Sequence, residues 1–207
     1  MLDAPSDFCR LWLFRHPSLE EPAARTAVGG GDADLCRRGR AQVLEWREWL
    51  EGAVVHEVHA SPQRQCREAG AALAKAVGCG CKTDERLRDQ SMGAWQGLSW
   101  EEILRRDGER LRAFFANFAD AVPPGGESLG ASVERVLSWW SATSEGAAGK
   151  SLAVVMPGST LAGFAAAMLG MRLSRCISLQ IPHGSCGVLD VFENGVRIAA
   201  WNLGAAL

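Results

Sequence analysis

The chain contains no tyrosine, no long apolar run and almost no net charge. Its longest apolar stretch, around Leu161 to Met171, falls well short of the roughly 20 residues that a membrane-spanning helix needs, and glycine interrupts it. No positively charged start leading into an apolar core and a cleavage site is present, so no secretory signal is expected. A formal charge of −2 offers no global attraction to nucleic acid or to an anionic membrane, and neither is expected as a partner. A basic site for an anionic ligand would have to be local. The seven cysteines are odd in number and lack the spacing of a disulfide framework. Cys79-Gly80-Cys81 has no second ligand pair, so zinc is not expected; reduced thiols in a cytoplasmic protein are. Eight tryptophans stand beside the missing tyrosines, a skew to which no functional reading attaches.

At 207 residues, 47% apolar and 22% charged, the chain has the size and composition of one soluble domain with a substantial core. No internal repeat, low-complexity tract or linker divides it. Residues 10–14 read as a buried strand. Val43, Leu44, Trp46, Trp49 and Leu50 give a helical stripe from about Arg37 to Leu50, and Gly52 ends it. Val54 to Val58 reads as a second strand, and Pro62 suits the first turn of a helix running to about Val77. Residues 85–97 read as irregular, and 99–106 and 109–119 as two short helices over the C-terminal edge of a sheet. Further helices are expected over 128–141 and 160–169, and strands over 152–156, 176–181 and 187–192. Glu193-Asn194-Gly195 then makes a hairpin turn into a strand over 196–201. This alternation predicts an α/β fold: a mixed, mostly parallel sheet covered by helices on both faces, closing on a C-terminal hairpin.

The chemistry-bearing segment is Leu11-Trp12-Leu13-Phe14-Arg15-His16-Pro17. An apolar strand delivers an adjacent Arg and His to its C-terminal end, where open α/β sheets place their ligands. Arg is a forked, permanently charged clamp for a phosphoryl group, and His can act as a nucleophile at neutral pH. Alone, the dipeptide reads more simply as a surface pair after a strand.

Five further segments, in order, change that reading. They are Leu35 to Gln42, Ala60-Ser61-Pro62 through Glu68, Leu87 to Gly97, Pro124-Gly125-Gly126-Glu127-Ser128, and Val154-Val155-Met156-Pro157-Gly158. With Arg15-His16 the series resembles the histidine phosphatase superfamily of phosphoglycerate mutase-like fold. In appearance it is nearest to the α-ribazole phosphatases, through the Arg-His-Pro start, Met92 to Gly97 and Pro182-His183-Gly184-Ser185. The resemblance covers nearly the whole chain. It implies a three-layer α/β/α sandwich and one domain over 1–207, with a small helical cap inserted around 85–125.

In proteins that this one resembles, the first His attacks phosphorus and carries a phosphohistidine. Two Arg and a second His hold the equatorial oxygens, and a carboxylic acid protonates the leaving oxygen. No metal or cofactor is implied, because cationic side chains supply the charge that phosphoryl transfer requires. The resemblance assigns His16 as nucleophile, Arg15 as clamp and Asp89 as acid, one methylene shorter than the usual Glu; a solvated loop carboxylate is the plain alternative for Asp89. Pro17 replaces the usual Gly and removes an N–H. Two positions depart from the pattern. Gln65 stands where the family has its second Arg, with Arg64 one place earlier, about 100° away on a helix. Pro157 stands where the family has its second His. Each lost donor costs about 10²–10³ in rate.

His183 is a candidate replacement imidazole and Ser185 a candidate phosphate donor; an ordinary turn residue is the alternative for His183. Ser159 would cap a helix or bind an anion at its start. Glu127 would favour a helix N-terminus or reach a pocket rim. His56 and His59 read as structural or solvent-facing. Two functions follow. One is a phosphatase of reduced activity acting on a small phosphomonoester such as α-ribazole 5′-phosphate, with mutase action less expected than hydrolysis. The other is an inactive relative that keeps an anion pocket for binding or regulation. The expected partner is a small phosphorylated molecule or inorganic phosphate, and a homodimer is left open.

Overall fold

The computed structural model describes residues 8–21 and 23–204. Alternation along two central strands dictates the layers. β1 (Phe8–Arg15) turns Leu11 and Leu13 to one face and Trp12 and Phe14 to the other. β4 (Ser151–Met156) repeats this, with Leu152, Val154 and Met156 on the first face and Ala153 and Val155 on the second. Both faces are apolar, so both need covering.

Helices α4 (Leu129–Ser144) and α5 (Gly158–Met168) cover the first face with Val133, Val136, Trp139, Leu161 and Phe164. Helices α1 (Arg37–Trp49) and α2 (Arg64–Val77) cover the second with Trp46, Cys66, Ala69 and Leu73. Fully burying one large apolar side chain of this kind stabilises the fold by roughly 1.5–3 kcal/mol. Small residues let α2 lie close to the sheet: a Cβ added at Gly70 would come within 2.8 Å of Ala60 Cβ.

The six-stranded sheet runs in the order β3 (Cys81–Thr83), β2 (Glu57–Ala60), β4, β1, β5 (Cys186–Phe192), β6 (Gly195–Leu203). The first four strands are parallel, and β5 and β6 add an antiparallel hairpin. The three-layer sandwich, mixed sheet and C-terminal hairpin are as expected. Arg15 pairs in register with Met156, so His16-Pro17 and Pro157-Gly158 leave the sheet side by side at one end.

Some local expectations are corrected. β2 begins at Glu57 rather than Val54, which is exposed; only Glu57–Ala60 pairs with β4. Pro62 lies outside α2, whose N-cap is Gln63. The two short helices are one, α3 (Trp100–Ala116), opened by a Ser99–Glu102 capping box and kinked at Asp107 (φ −145°, ψ 41°), whose carboxylate accepts from the Trp95 indole. No strand forms over 176–181. The place beside β1 belongs to β5, and Leu173–Leu179 coils instead as 3-10 helix. Cys176 and Leu179 are buried there three residues apart, the 3-10 repeat. A smaller apolar cluster joins Ala27, Met92 and Trp95 to Ile103, Leu111 and Phe114 of α3.

Candidate functional site

Where β1 ends, its neighbours fix the backbone. Arg15 N–H donates to Ser185 O (3.0 Å), His16 N–H to Met156 O (3.1 Å), and Gly184 N–H to His16 O (3.2 Å). The two side chains thus enter a cavity of about 550 Å³ at the C-terminal ends of β1 and β4. His16 is 6% exposed. Its Nδ1 lies 3.0 Å from Pro17 O. A carbonyl only accepts, so Nδ1 carries the proton. Burial, with the neighbouring His183 and Arg15, pushes the ring down to about 3. The neutral ring therefore presents a bare Nε2 lone pair, the form a nucleophile requires.

Arg15 is stretched between two anchors. Nη1 donates to Ile181 O (2.8 Å) and Nη2 to His183 Nε2 (2.9 Å), while Nε is buried without a partner. The guanidinium passes so close to Gly158 that an added Cβ would sit 2.6 Å from Nε. Burial lowers Arg15 from its usual range, opposed by the charge of Asp89. His183 receives the Arg15 hydrogen bond at Nε2, which leaves Nδ1–H to donate to His16 O (3.3 Å). Burial and the Arg15 charge hold His183 down to about 4. In this arrangement it positions Arg15, and neither of its nitrogens is free to donate to a phosphate.

Asp89 lies inside the cavity. Its Oδ1 accepts from the Ser159 hydroxyl and from Gln90 N–H (2.9 Å). Burial raises it to about 6, against the pull of those two hydrogen bonds and of Arg15 and Arg135. A carboxyl titrating there exchanges protons near neutral pH. Ser159 does not cap α5, whose N-cap residue is Pro157.

The Asp89 loop is held from several sides. Gln63 Oε1 accepts Asp89 N–H (2.9 Å). Arg135 donates to Arg86 O and Arg88 O (3.0 Å each) and pairs with Glu127 (2.6 Å), whose Oε1 also accepts Ser91 N–H. Glu127 thus serves the loop and does not line the cavity.

The remaining expected residues divide. Gln65 lines the cavity but spends its amide on the loop opposite, accepting from Ala33 N–H (3.1 Å) and donating to Gly31 O (3.3 Å). Arg64 does not reach the site. Rotated a third of a turn away on α2, it is paired with Asp34 (2.7 Å) in solvent. Ser185 is buried as backbone support for Arg15 and does not line the cavity. Pro157 is buried beside the cavity, and the lining continues at Gly158 and Ser159. His56 accepts from Ser151 N–H, and His59 from the Trp139 indole.

Sequence reasoning missed the roles of Ser159, Gln63 and Arg135, which depend on contacts far apart in the chain. It also missed the apolar wall of Trp100, Phe114, Phe115 and Phe118, whose signal was the aromatic run in α3 and the turn after it. Among the described residues no cluster of three or more His, Cys, Asp or Glu is placed to hold a metal ion, and no helix is long and apolar enough to cross a membrane.

The six-stranded mixed sheet with helices on both faces is a phosphoglycerate mutase-like α/β fold, and it gathers Arg15, His16 and Asp89 where β1 and β4 end. The chain belongs to the histidine phosphatase superfamily (branch 1), whose sequence profile matches residues 11–204. It is 22% identical over 192 residues to a probable phosphoglycerate mutase GpmB of Salmonella choleraesuis, spanning 93% of this chain and 89% of that one. It is 31% identical over 129 residues to the bifunctional protein Rv2228c of Mycobacterium tuberculosis, 61% of this chain but only 35% of that relative.

Among solved structures, a putative alpha-ribazole-5′-P phosphatase from Escherichia coli superposes with a TM-score of 0.86 at 20% identity, covering 96% of this chain and 99% of that one. A mycobacterial glucosyl-3-phosphoglycerate phosphatase superposes at 0.82 and 25% identity, covering 95% and 100%. That phosphatase has also been solved with inorganic phosphate, in a structure that superposes at 0.79.

Proposed function

We propose that this protein is a slow phosphomonoesterase that works through a phosphohistidine on His16. The observation that carries the reading is the pairing of a bare His16 Nε2 with the orphaned, buried Nε–H of Arg15 in one cavity. A buried donor without a partner is costly, and an anion drawn in beside His16 would satisfy it once the guanidinium turns away from Gly158. In the forward step Nε2 bonds to phosphorus as the P–O bond to the leaving group breaks. The Asp89 carboxylic acid passes its proton to the departing oxygen, and Nδ1–H stays on Pro17 O to support the positive ring. Water then attacks phosphorus as the P–Nε2 bond breaks and its electron pair returns to His16, Asp89 takes the water's proton, and inorganic phosphate leaves. Arg15 and the first N–H groups of α5, which opens at Gly158 in the cavity lining, would stabilise the phosphoryl oxygens.

The reaction is slow because Gln65 and Pro157 bring no charge, and His183 is occupied by Arg15. α-Ribazole 5′-phosphate and other small phosphomonoesters fit this reading. A second reading, an anion-binding relative without turnover, draws on the same tethered Gln65 amide.

Protein incubated with p-nitrophenyl phosphate and quenched in alkaline denaturant, which preserves the P–N bond, separates the two. The enzyme gives a phosphohistidine signal in the ³¹P spectrum and nitrophenol release, both lost in His16→Ala. Nitrophenol release unchanged in His16→Ala overturns the phosphohistidine. Phosphate binding with neither signal in the wild type favours the second reading.

A further inference from the structure

We propose that the cavity selects phosphomonoesters whose leaving group is uncharged and mostly apolar, an aromatic alcohol above all, and rejects those that carry a second anionic group. The inference rests on the phosphoryl-transfer reading of the same site and adds what that site would take.

The cavity gathers its charged and imidazole side chains at one end. Arg15, His16, Asp89 and Ser159 stand where the sheet ends, and the rest of the lining is mainly aromatic and aliphatic, with the uncharged Thr26 and Gln180 among it. Of that wall, Trp100 and Phe115 pack ring to ring at 5.6 Å between centroids. They and Ile177 also reach solvent, being 38%, 57% and 60% exposed, so the lining includes apolar surface at the mouth as well as inside. A flat apolar body attached to a phosphoryl group at His16 would lie against these rings, where offset and edge contacts favour an aromatic partner. A cavity of about 550 Å³ has room for both parts.

Charge points the same way. Among the described residues that line the cavity, Arg15 is the only lysine or arginine. Two imidazoles stand beside it, and burial keeps both neutral. A phosphoryl group would use that one cation. A carboxylate or second phosphate elsewhere on the substrate would be buried among rings with no counter-charge, which is strongly unfavourable. The positions that would add charge carry Gln65 and Pro157, and Arg64 points to solvent. The selection is therefore made by the far wall and by the absence of a second cation within it.

Equilibrium binding by calorimetry tests this with three stable probes: a naphthyl phosphonate, inorganic phosphate, and phosphonoacetate, which bears the second anionic group. The naphthyl compound should bind at least tenfold more tightly than inorganic phosphate, and phosphonoacetate no more tightly. Phe115→Ala or Trp100→Ala should remove most of that advantage and leave inorganic phosphate unchanged; both side chains are partly in solvent, so either variant keeps the core intact. Equal affinities, tighter phosphonoacetate, or an advantage that survives both variants overturns the inference. If the phosphohistidine on His16 still forms, the catalytic reading stands without it. If no probe binds and no phosphohistidine forms, both fail together.

Discussion

Removing the Ser159 hydroxyl should make the protein faster in alkaline solution. Asp89 must be protonated to act as the acid, and it sits at about 6. At pH 7 about a tenth of it is protonated, and at pH 8 about a hundredth. His16, held down at about 3, remains a free base throughout. Turnover should therefore be greatest between about pH 4 and 6 and fall tenfold per unit above that range.

Ser159 donates its hydroxyl proton to Asp89 Oδ1 and so favours the ionised carboxylate. A hydrogen bond to a charged group contributes about 1.5–3 kcal/mol, or about one to two pKa units. Ser159→Ala should carry the alkaline limb from about 6 to roughly 7–8, and at pH 8 the variant should turn over p-nitrophenyl phosphate about tenfold faster than wild type or more. A phosphomonoester's own second ionisation falls near pH 6. It is the same for both proteins, so the displacement belongs to Asp89. A ¹³C titration of the Asp89 carboxyl reads the same shift without turnover. A limb that stays in place or moves to lower pH, or an Asp89 carbon titrating near 4 in the wild type, refutes the reasoning.

Three further outcomes follow from the same contacts. Gly158→Ala places a methyl 2.6 Å from Arg15 Nε, so the guanidinium must shift; phosphate affinity measured by calorimetry should fall at least tenfold while melting temperature changes little. Gln65→Arg with Pro157→His restores the two donors that the family pattern has, and kcat for p-nitrophenyl phosphate should rise by about 10² or more. The same change leaves Ala33 N–H without its acceptor at about 1–3 kcal/mol, so denaturant midpoints should be read alongside. His16 is lowered on folding, so the unfolded chain binds the extra proton below about pH 6.5, and this group's contribution is complete above that pH and lost on descent toward 3. Asp89, raised on folding, acts in the opposite direction between about 6 and 4. His16→Gln should therefore lose less stability than wild type between pH 6.5 and 4.5, by about 2 kcal/mol in urea titrations, a linkage of at most about 1.4 kcal/mol per pH unit.

How far the chain could be read without coordinates depended on the range of the interactions. Alternation in Leu11-Trp12-Leu13-Phe14 and in Leu152 to Met156 encodes two buried faces, and strand, helix and hairpin order encodes the layers, because these patterns are set by neighbours along the chain. The positions of Arg15, His16 and Asp89 were legible for the same reason, each lying in a short ordered motif. That Arg64 could not replace Gln65 followed from helical rotation alone. The strand expected at 176–181 failed because pairing needs a free edge, and whether β1 has one is a matter of the whole sheet.

Which groups are charged was equally out of reach. Sequence makes His183 a candidate replacement imidazole, yet its Nε2 is occupied by a guanidinium 168 residues away in sequence. Asp89 became an acid near 6 because burial raises it further than the bond from Ser159, 70 residues on, draws it down. Sequence by itself determined the fold and the identity of the groups at the sheet's end, since local periodicity specifies both. Tertiary structure alone decided their protonation, their tautomers and the aromatic wall they face, because desolvation and hydrogen bonding arise only once distant segments meet.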